Sequence, residues 1–160
     1  MRKKVYDREA AVAYAEKWAL GRNPEYYSFS GIGGDCTNFV SQCIYAGCGI
    51  MNYTPVTGWY YRSASDRTAS WTGVRFLYNF LIGNKGPGPY GEVAGKSDMM
   101  PGDIIQLGKA DGMFYHSLFV IEKTADDILI ATHTYDALRR PLSTYIYDRA
   151  RYIHIVGARI

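Results

Sequence analysis

Cys36 lies in the stretch Gly33-Gly34-Asp35-Cys36-Thr37-Asn38-Phe39-Val40-Ser41-Gln42, and His116 and His133 follow far downstream. A cysteine at a helix start with distant imidazoles is a layout for nucleophilic attack on a carbonyl. The attacking species is the thiolate, and a free thiol of pKa ~8.5 is mostly protonated at neutral pH. A helix N-terminus lowers that value, because its N–H groups and dipole favour negative charge. A neighbouring imidazolium acts in the same direction. Gly33 and Gly34 keep side chains away from the sulfur and permit φ > 0 in a tight entry to the helix.

The histidines sit on what read as two arms of one hairpin. Pairing Lys123 with Asp126 sets His116 opposite His133, with Cβ atoms about 5 Å apart on one face. In that register His133 accepts a hydrogen bond from His116 and holds its tautomer, the role of a third catalytic group. A slip of one residue would put the two on opposite faces. Asp136, just beyond the strand, is the rival orienting group, and a carboxylate is the better electrostatic partner for a histidinium. His154, in the alternating run Tyr152–Val156, reads as structural. Taken singly, a buried small thiol and satisfied strand histidines are the commoner readings. The joint context of glycine entry, acidic cap, buried helix stripe and paired histidines favours chemistry.

These residues need elements to hold them. Asp7 reads as the cap of a first helix from Arg8 to Leu20, with Ala10, Ala11, Tyr14 and Trp18 at helical spacing. Asp35 reads as the cap of a second helix that starts at Cys36 and stops near Gly47, with Phe39, Val40, Cys43 and Ile44 on one face. Residues 49–70 read as a long irregular segment, a form that is usually functional or mobile. Its Trp59, Tyr60 and Tyr61 are candidate walls of a substrate groove. Ser70 reads as the cap of a third helix carrying Trp71, Val74, Leu77, Tyr78 and Leu81. Gly86-Pro87-Gly88-Pro89 reads as a connector. Strands are expected at Ile104–Leu107, Tyr115–Lys123, Ile128–Thr134 and Ile153–Ile160. Helices first and antiparallel strands second is an α+β order in one domain over residues 1–160.

Bulk composition excludes several classes. The 160 residues suit one domain, and 48% hydrophobic with 21% charged residues is an ordinary globular balance. Fifteen tyrosines raise the aromatic share to 15%, consistent with a polar-tipped groove or with simple packing. A net charge of +3 without a Lys/Arg cluster does not argue for nucleic acid. No run approaches the ~20 apolar residues of a membrane span. Arg2-Lys3-Lys4 leads into polar, helical sequence and not an apolar core, so no signal peptide is expected. The chain reads as cytoplasmic, with cell-wall or extracellular action if it is part of a longer exported protein. Cys36, Cys43 and Cys48 fit neither a disulfide framework nor a paired zinc motif. No cofactor or metal is expected.

The decapeptide around Cys36, Trp59, Ser70-Trp71, Pro101-Gly102-Asp103-Ile104-Ile105, His116-Ser117 and His133-Thr134-Tyr135-Asp136 together resemble the bacterial family named Putative amidase domain. That family is similar to the papain-like NlpC-type and CHAP-type cysteine amidases and peptidases. The resemblance covers nearly the whole chain and implies a nucleophile helix packed on an antiparallel sheet. It implies Cys36 as nucleophile, His116 as general base and acid, and His133 in the third place, with Asp136 as the alternative. Tyr27, or Tyr26 in its stead, looks similar to the tyrosine that such enzymes keep near the oxyanion. The implied activity is hydrolysis of amide bonds in peptides, including cell-wall peptides. Competing readings on the same fold are a non-catalytic peptide- or glycan-binding module and an acyl transferase. A zinc site of Cys36, His116 and His133 is the weakest competitor.

Overall fold

The computed structural model describes residues 1–160. The strands are β1 (Lys3–Lys4), β2 (Tyr61–Ser63), β3 (Asp66–Arg67), β4 (Gly88–Ala94), β5 (Ile104–Gly108), β6 (Phe114–Lys123), β7 (Ile128–Thr132), β8 (Ala137–Pro141) and β9 (Arg149–Arg159). The helices are α1 (Arg8–Trp18), α2 (Cys36–Cys48), α3 (Ala69–Thr72) and α4 (Val74–Gly83). No helix is long and apolar enough to cross a membrane. The expected α+β class is present, although β1 precedes α1 and the β2–β3 hairpin falls between α2 and α3.

One antiparallel sheet carries the order β1-β9-β5-β6-β7-β8, and β2 and β3 form a separate small hairpin. The long β9 is paired on both edges. β4 follows one edge from Tyr152 to Arg159, while β5 takes Arg149–Ile153 and β1 takes Ala158–Arg159 on the other. The segment read as a connector thus supplies β4. Its Gly-Pro-Gly-Pro opening hid a strand, because proline is tolerated at the start of an edge strand. β8 was also unanticipated.

α1 starts where the Asp7 carboxylate accepts the Ala10 N–H at 3.0 Å. Its Ala11 and Ala15 face α2. Gly47 lets the two helices meet, since a Cβ there would lie 2.5 Å from the Tyr6 ring and 2.8 Å from the Asp7 carbonyl oxygen. α2 ends at Gly49, which adopts φ 67°, a left-handed conformation that glycine enters without strain. The expected third helix is broken at Gly73, whose extended ψ of 129° separates α3 from α4.

The sheet has two buried faces. Phe39, Val40, Cys43, Ile44, Trp59, Trp71, Leu77, Leu81, Phe119 and Ile121 form the main core between helices and sheet. Leu118, Val120, Ile105, Leu107, Ile128, Ile130 and Leu142 form a second core on the opposite face, flanked by Tyr145. The period-two alternation of β6 therefore feeds two cores. The Pro101-Gly102-Asp103 turn pins this frame to α1. Buried Asp103 accepts from Arg8, the Ile155 N–H and the Met100 N–H, and meets His154 Nδ1 at 3.1 Å. His154 is thus held structurally, as its strand context suggested.

Candidate active site

Cys36 opens α2 and is 7% exposed, with its sulfur against the Ser117 backbone N–H of β6. Backbone pairing explains that contact. Ser117 lies opposite Gln106 of β5, whereas pairing with β7 begins only at Phe119 and Ala131. The N–H of Ser117 on the β7 side therefore meets the sulfur in place of a strand carbonyl. Burial pushes the Cys36 thiol up, and the Ser117 N–H and Thr37 hydroxyl partly offset it.

His116 precedes Ser117 and is 9% exposed. Alternation turns Ser117, Phe119 and Ile121 to the helix face, and His116 to the face of Leu118 and Val120. There its ring lies 6.1 Å from the Tyr145 ring, and Nε2 meets Thr132 Oγ1 at 3.4 Å. Burial, with the nearby Arg140 charge, lowers the His116 pKa to about 4. The resting pair is thus a neutral thiol and a neutral imidazole, not the thiolate that the helix start and a neighbouring imidazolium were expected to favour. Cys36 and His116 flank the same short stretch of β6 with no hydrogen bond between the sulfur and the ring.

The expected hairpin register does not occur. Phe119 pairs with Ala131 and Val120 with Ile130, and a bulge then shifts the ladder so that Lys123 pairs with Ile128. This is the one-residue slip that separates His116 from His133. His133 is buried on the helix side, its ring 4.1 Å from that of Phe39. Its Nδ1 lies 2.6 Å from Asp35 Oδ2 and its Nε2 2.9 Å from the Trp18 carbonyl oxygen. Both ring nitrogens are committed, so His133 does not orient His116.

Asp35 also departs from expectation. It stands at the cap position, yet its side chain caps no backbone N–H of the first turn of α2. Its carboxylate turns inward and accepts from the Phe29 N–H at 2.8 Å and Asn38 Nδ2 at 2.9 Å, with Arg22 Nε 3.4 Å away. Burial opposes the charge, but these hydrogen bonds and His133 outweigh it and hold the carboxyl below its ordinary pKa. The backbone N–H of Asp35 donates to Thr134 Oγ1 at 2.9 Å. Thr134 and Tyr135 adopt φ of 64° and 60°, a strained turn held by these contacts. Asp136 pairs with Arg22 at 2.8 and 3.0 Å, away from His116. The His133–Asp136 segment therefore braces the loop that enters α2.

The proposed groove residues scatter. Trp59 is fully buried, its indole N–H donating to Ser41 Oγ at 3.1 Å and its ring 4.6 Å from that of Trp71. It is core, because the loop that carries it folds back through the Asn52–Trp59 bridge. The Tyr61 hydroxyl is turned inward and accepts the Tyr27 N–H at 2.7 Å. Tyr60 stays half-exposed and donates to Asp66. The Tyr27 ring is 47% exposed, while its carbonyl oxygen accepts from Asn38 Nδ2. Clefts of about 540–720 Å³ occur elsewhere on the surface, and neither Cys36 nor His116 lines them. No group of three His, Cys, Asp or Glu side chains is arranged to hold a metal ion.

Residues that sequence reasoning missed complete the surroundings of the sulfur. Thr37 and Ser117 join through their hydroxyls at 2.9 Å, and Gln106 donates to Ser117 Oγ at 3.2 Å. A polar residue at 106 inside the apolar strand Ile104–Leu107 was the available signal, since buried polar groups must be satisfied.

Comparison with known proteins supports the amidase-domain part of the sequence resemblance. The family model described as Putative amidase domain matches residues 5–156. A Bacillus subtilis (strain 168) protein, described as Uncharacterized protein YhbB, is 37% identical over 139 residues, covering 84% of this chain and 43% of that relative. The chain therefore spans less than half the length of this curated relative. No solved structure is matched. With nearly its whole length matched by the family model, the chain belongs to the Putative amidase domain family, whose description points to amide hydrolysis.

Proposed function

We propose that this protein is a cysteine-dependent amide hydrolase with a papain-like arrangement, acting on peptide or cell-wall peptide bonds. The observation that carries the reading is the Cys36 sulfur at the start of α2, seated on the N–H that follows His116. His116 takes the thiol proton as general base, and the thiolate attacks the carbonyl carbon. The Cys36 N–H, a first-turn donor with no partner inside α2, holds the oxyanion together with Tyr27. His116 then protonates the departing amine, and water, deprotonated by the same imidazole, releases the acyl group.

The resting imidazole is unprotonated, and its lowered pKa must rise as substrate binding turns it toward the forming thiolate. The reaction requires the His116 ring to turn from Thr132 toward the β6 edge where the sulfur lies. Catalytic hydrogen bonds are often long in an empty site and tighten when substrate binds. Substrate must also open the cover over two nearly closed side chains. His133 and Asp136 support the reaction indirectly, by bracing the loop that leads into Cys36.

Cys36→Ala tests this directly with purified muropeptides and fluorogenic peptide amides. Turnover should vanish, while melting falls by only about 2–4 °C for the loss of ~1 kcal/mol in a chain of this size. Full activity in that variant would end the assignment.

The closed, neutral state of the pair favours a second reading, a non-catalytic peptide- or glycan-binding module. In that case iodoacetamide would leave Cys36 unmodified across neutral pH, and muropeptides would bind without being cleaved.

A further inference from the structure

A chain of polar groups runs across the helix-facing side of the sheet, from β9 to the Cys36 sulfur. Arg151 of β9 lies between the rings of Tyr78 and Phe114, 3.8 and 4.0 Å from their centroids. Its Nε donates to Gln106 Oε1 at 2.7 Å. Gln106 Nε2 donates to the Val74 carbonyl oxygen at 2.9 Å and to Ser117 Oγ at 3.2 Å. Ser117 Oγ meets Thr37 Oγ1 at 2.9 Å, and Thr37 Oγ1 meets Cys36 Sγ at 3.8 Å. Thr37, Gln106 and Ser117 are all at most 1% exposed.

The two ends fix the direction of every bond between them. A guanidinium only donates, and a carbonyl oxygen only accepts. Arg151 and Val74 therefore set the orientation of the Gln106 amide, with Nε2 toward Ser117. Ser117 Oγ must accept from it, which leaves Thr37 Oγ1 as the only available acceptor for the Ser117 hydrogen. Thr37 then has its own hydrogen free for the sulfur. The opposite direction would leave the Ser117 hydrogen buried without a partner, at a cost of about 1–3 kcal/mol.

We propose that Arg151, Gln106 and Ser117 are positioning residues that aim the Thr37 hydroxyl at Cys36, so that the chain stabilises the thiolate. The inference rests on Cys36 being the reactive thiol of the proposed function, and it adds the residues that tune it. The other charged or titratable groups around the sulfur are Asp35 on the entry loop, which opposes the thiolate, and His116 on β6. Neither belongs to the chain, so the effect of the chain is separable from theirs.

The test is the pH dependence of iodoacetamide alkylation, read by mass spectrometry on the Cys36 peptide of the full chain. Thr37→Val should raise the midpoint by about half a unit, about threefold less thiolate at a fixed pH below it. Thr37→Ser should restore the wild-type midpoint. Arg151→Met keeps a side chain between the two rings and should raise the midpoint in the same direction by a smaller amount. It carries the test if Thr37→Val does not fold. Unchanged midpoints in the folded variants would overturn the chain and leave Cys36 as nucleophile. A wild-type Cys36 that does not alkylate at any pH would overturn the chain and the hydrolase reading together.

Discussion

His116 and His133 lie 17 residues apart in the sequence, and the protein uses them in opposite ways. His133 is saturated. Both nitrogens are bonded at 2.9 Å or less, its ring is stacked, and its partner Asp35 is buried and charged. His116 has one long contact at 3.4 Å and is held neutral by burial. A saturated polar group has little left to offer a substrate, whereas an under-committed one keeps a free ring nitrogen and room to turn. The difference divides the region into a brace around Asp35 and a less committed edge around Ser117. The brace fixes where α2 begins, and the edge is what lies in front of its first residue.

Substitution at the two histidines should split activity from stability. His116→Ala is expected to lower kcat/KM by about 10²–10⁴-fold, the range for loss of a general base, with melting close to wild type. His133→Gln should chiefly lower the melting temperature. Loss of turnover in His133→Gln at an unchanged melting temperature would invert the assignment.

Removing the centre of the brace should be the largest change in stability. Asp35→Ala strips the partner from His133, Asn38 and the Phe29 N–H. Breaking a buried ionic pair typically costs about 3–5 kcal/mol, which urea unfolding would measure. A loss below 1 kcal/mol would show that the brace is not needed.

Acid sharpens the contrast differently. The His116 pKa falls from an ordinary 6.5 to about 4 in the folded protein, so the unfolded chain binds more protons between those values. Stability should therefore fall as pH drops from about 6.5 to about 4, by on the order of 3 kcal/mol from this residue. His116→Gln should flatten that part of the profile, leaving the acid loss from Asp35, whose lowered pKa makes its contribution disappear at lower pH. An unaltered slope in unfolding curves at pH 7, 5.5 and 4.5 would argue against a buried neutral His116. The smallest effect belongs to the brace's outer pair. Arg22 and Asp136 are about a third exposed, so Arg22→Ala should cost about 1 kcal/mol or less.

The amino-acid pattern alone determined a good deal. Asp7 and the alanines of α1 announced a helix, and Gly33 to Gln42 announced that Cys36 begins another. The β-rich run of residues 115–123 announced β6. These are local signals, carried by neighbours within a turn or a pleat, and they survived folding. Gly73 and the proline-bearing start of β4 misled because a break or an edge strand depends on what packs beside it.

Tertiary structure alone decided who meets whom. The register of β6 against β7 turned on a bulge near Ile121 that no periodicity encodes, and it moved His133 to the other face from His116. Asp35 bonds a histidine 98 positions away in place of capping a backbone N–H of its own helix, and Trp59 entered the core because its loop closed on itself. Gln106, Ser117 and Thr37 come from β5, β6 and α2 and touch only when the sheet and helix are assembled. Such contacts are selected by the requirement that every buried polar group find a partner. That requirement is met across the whole packed molecule, and local spacing cannot foretell it.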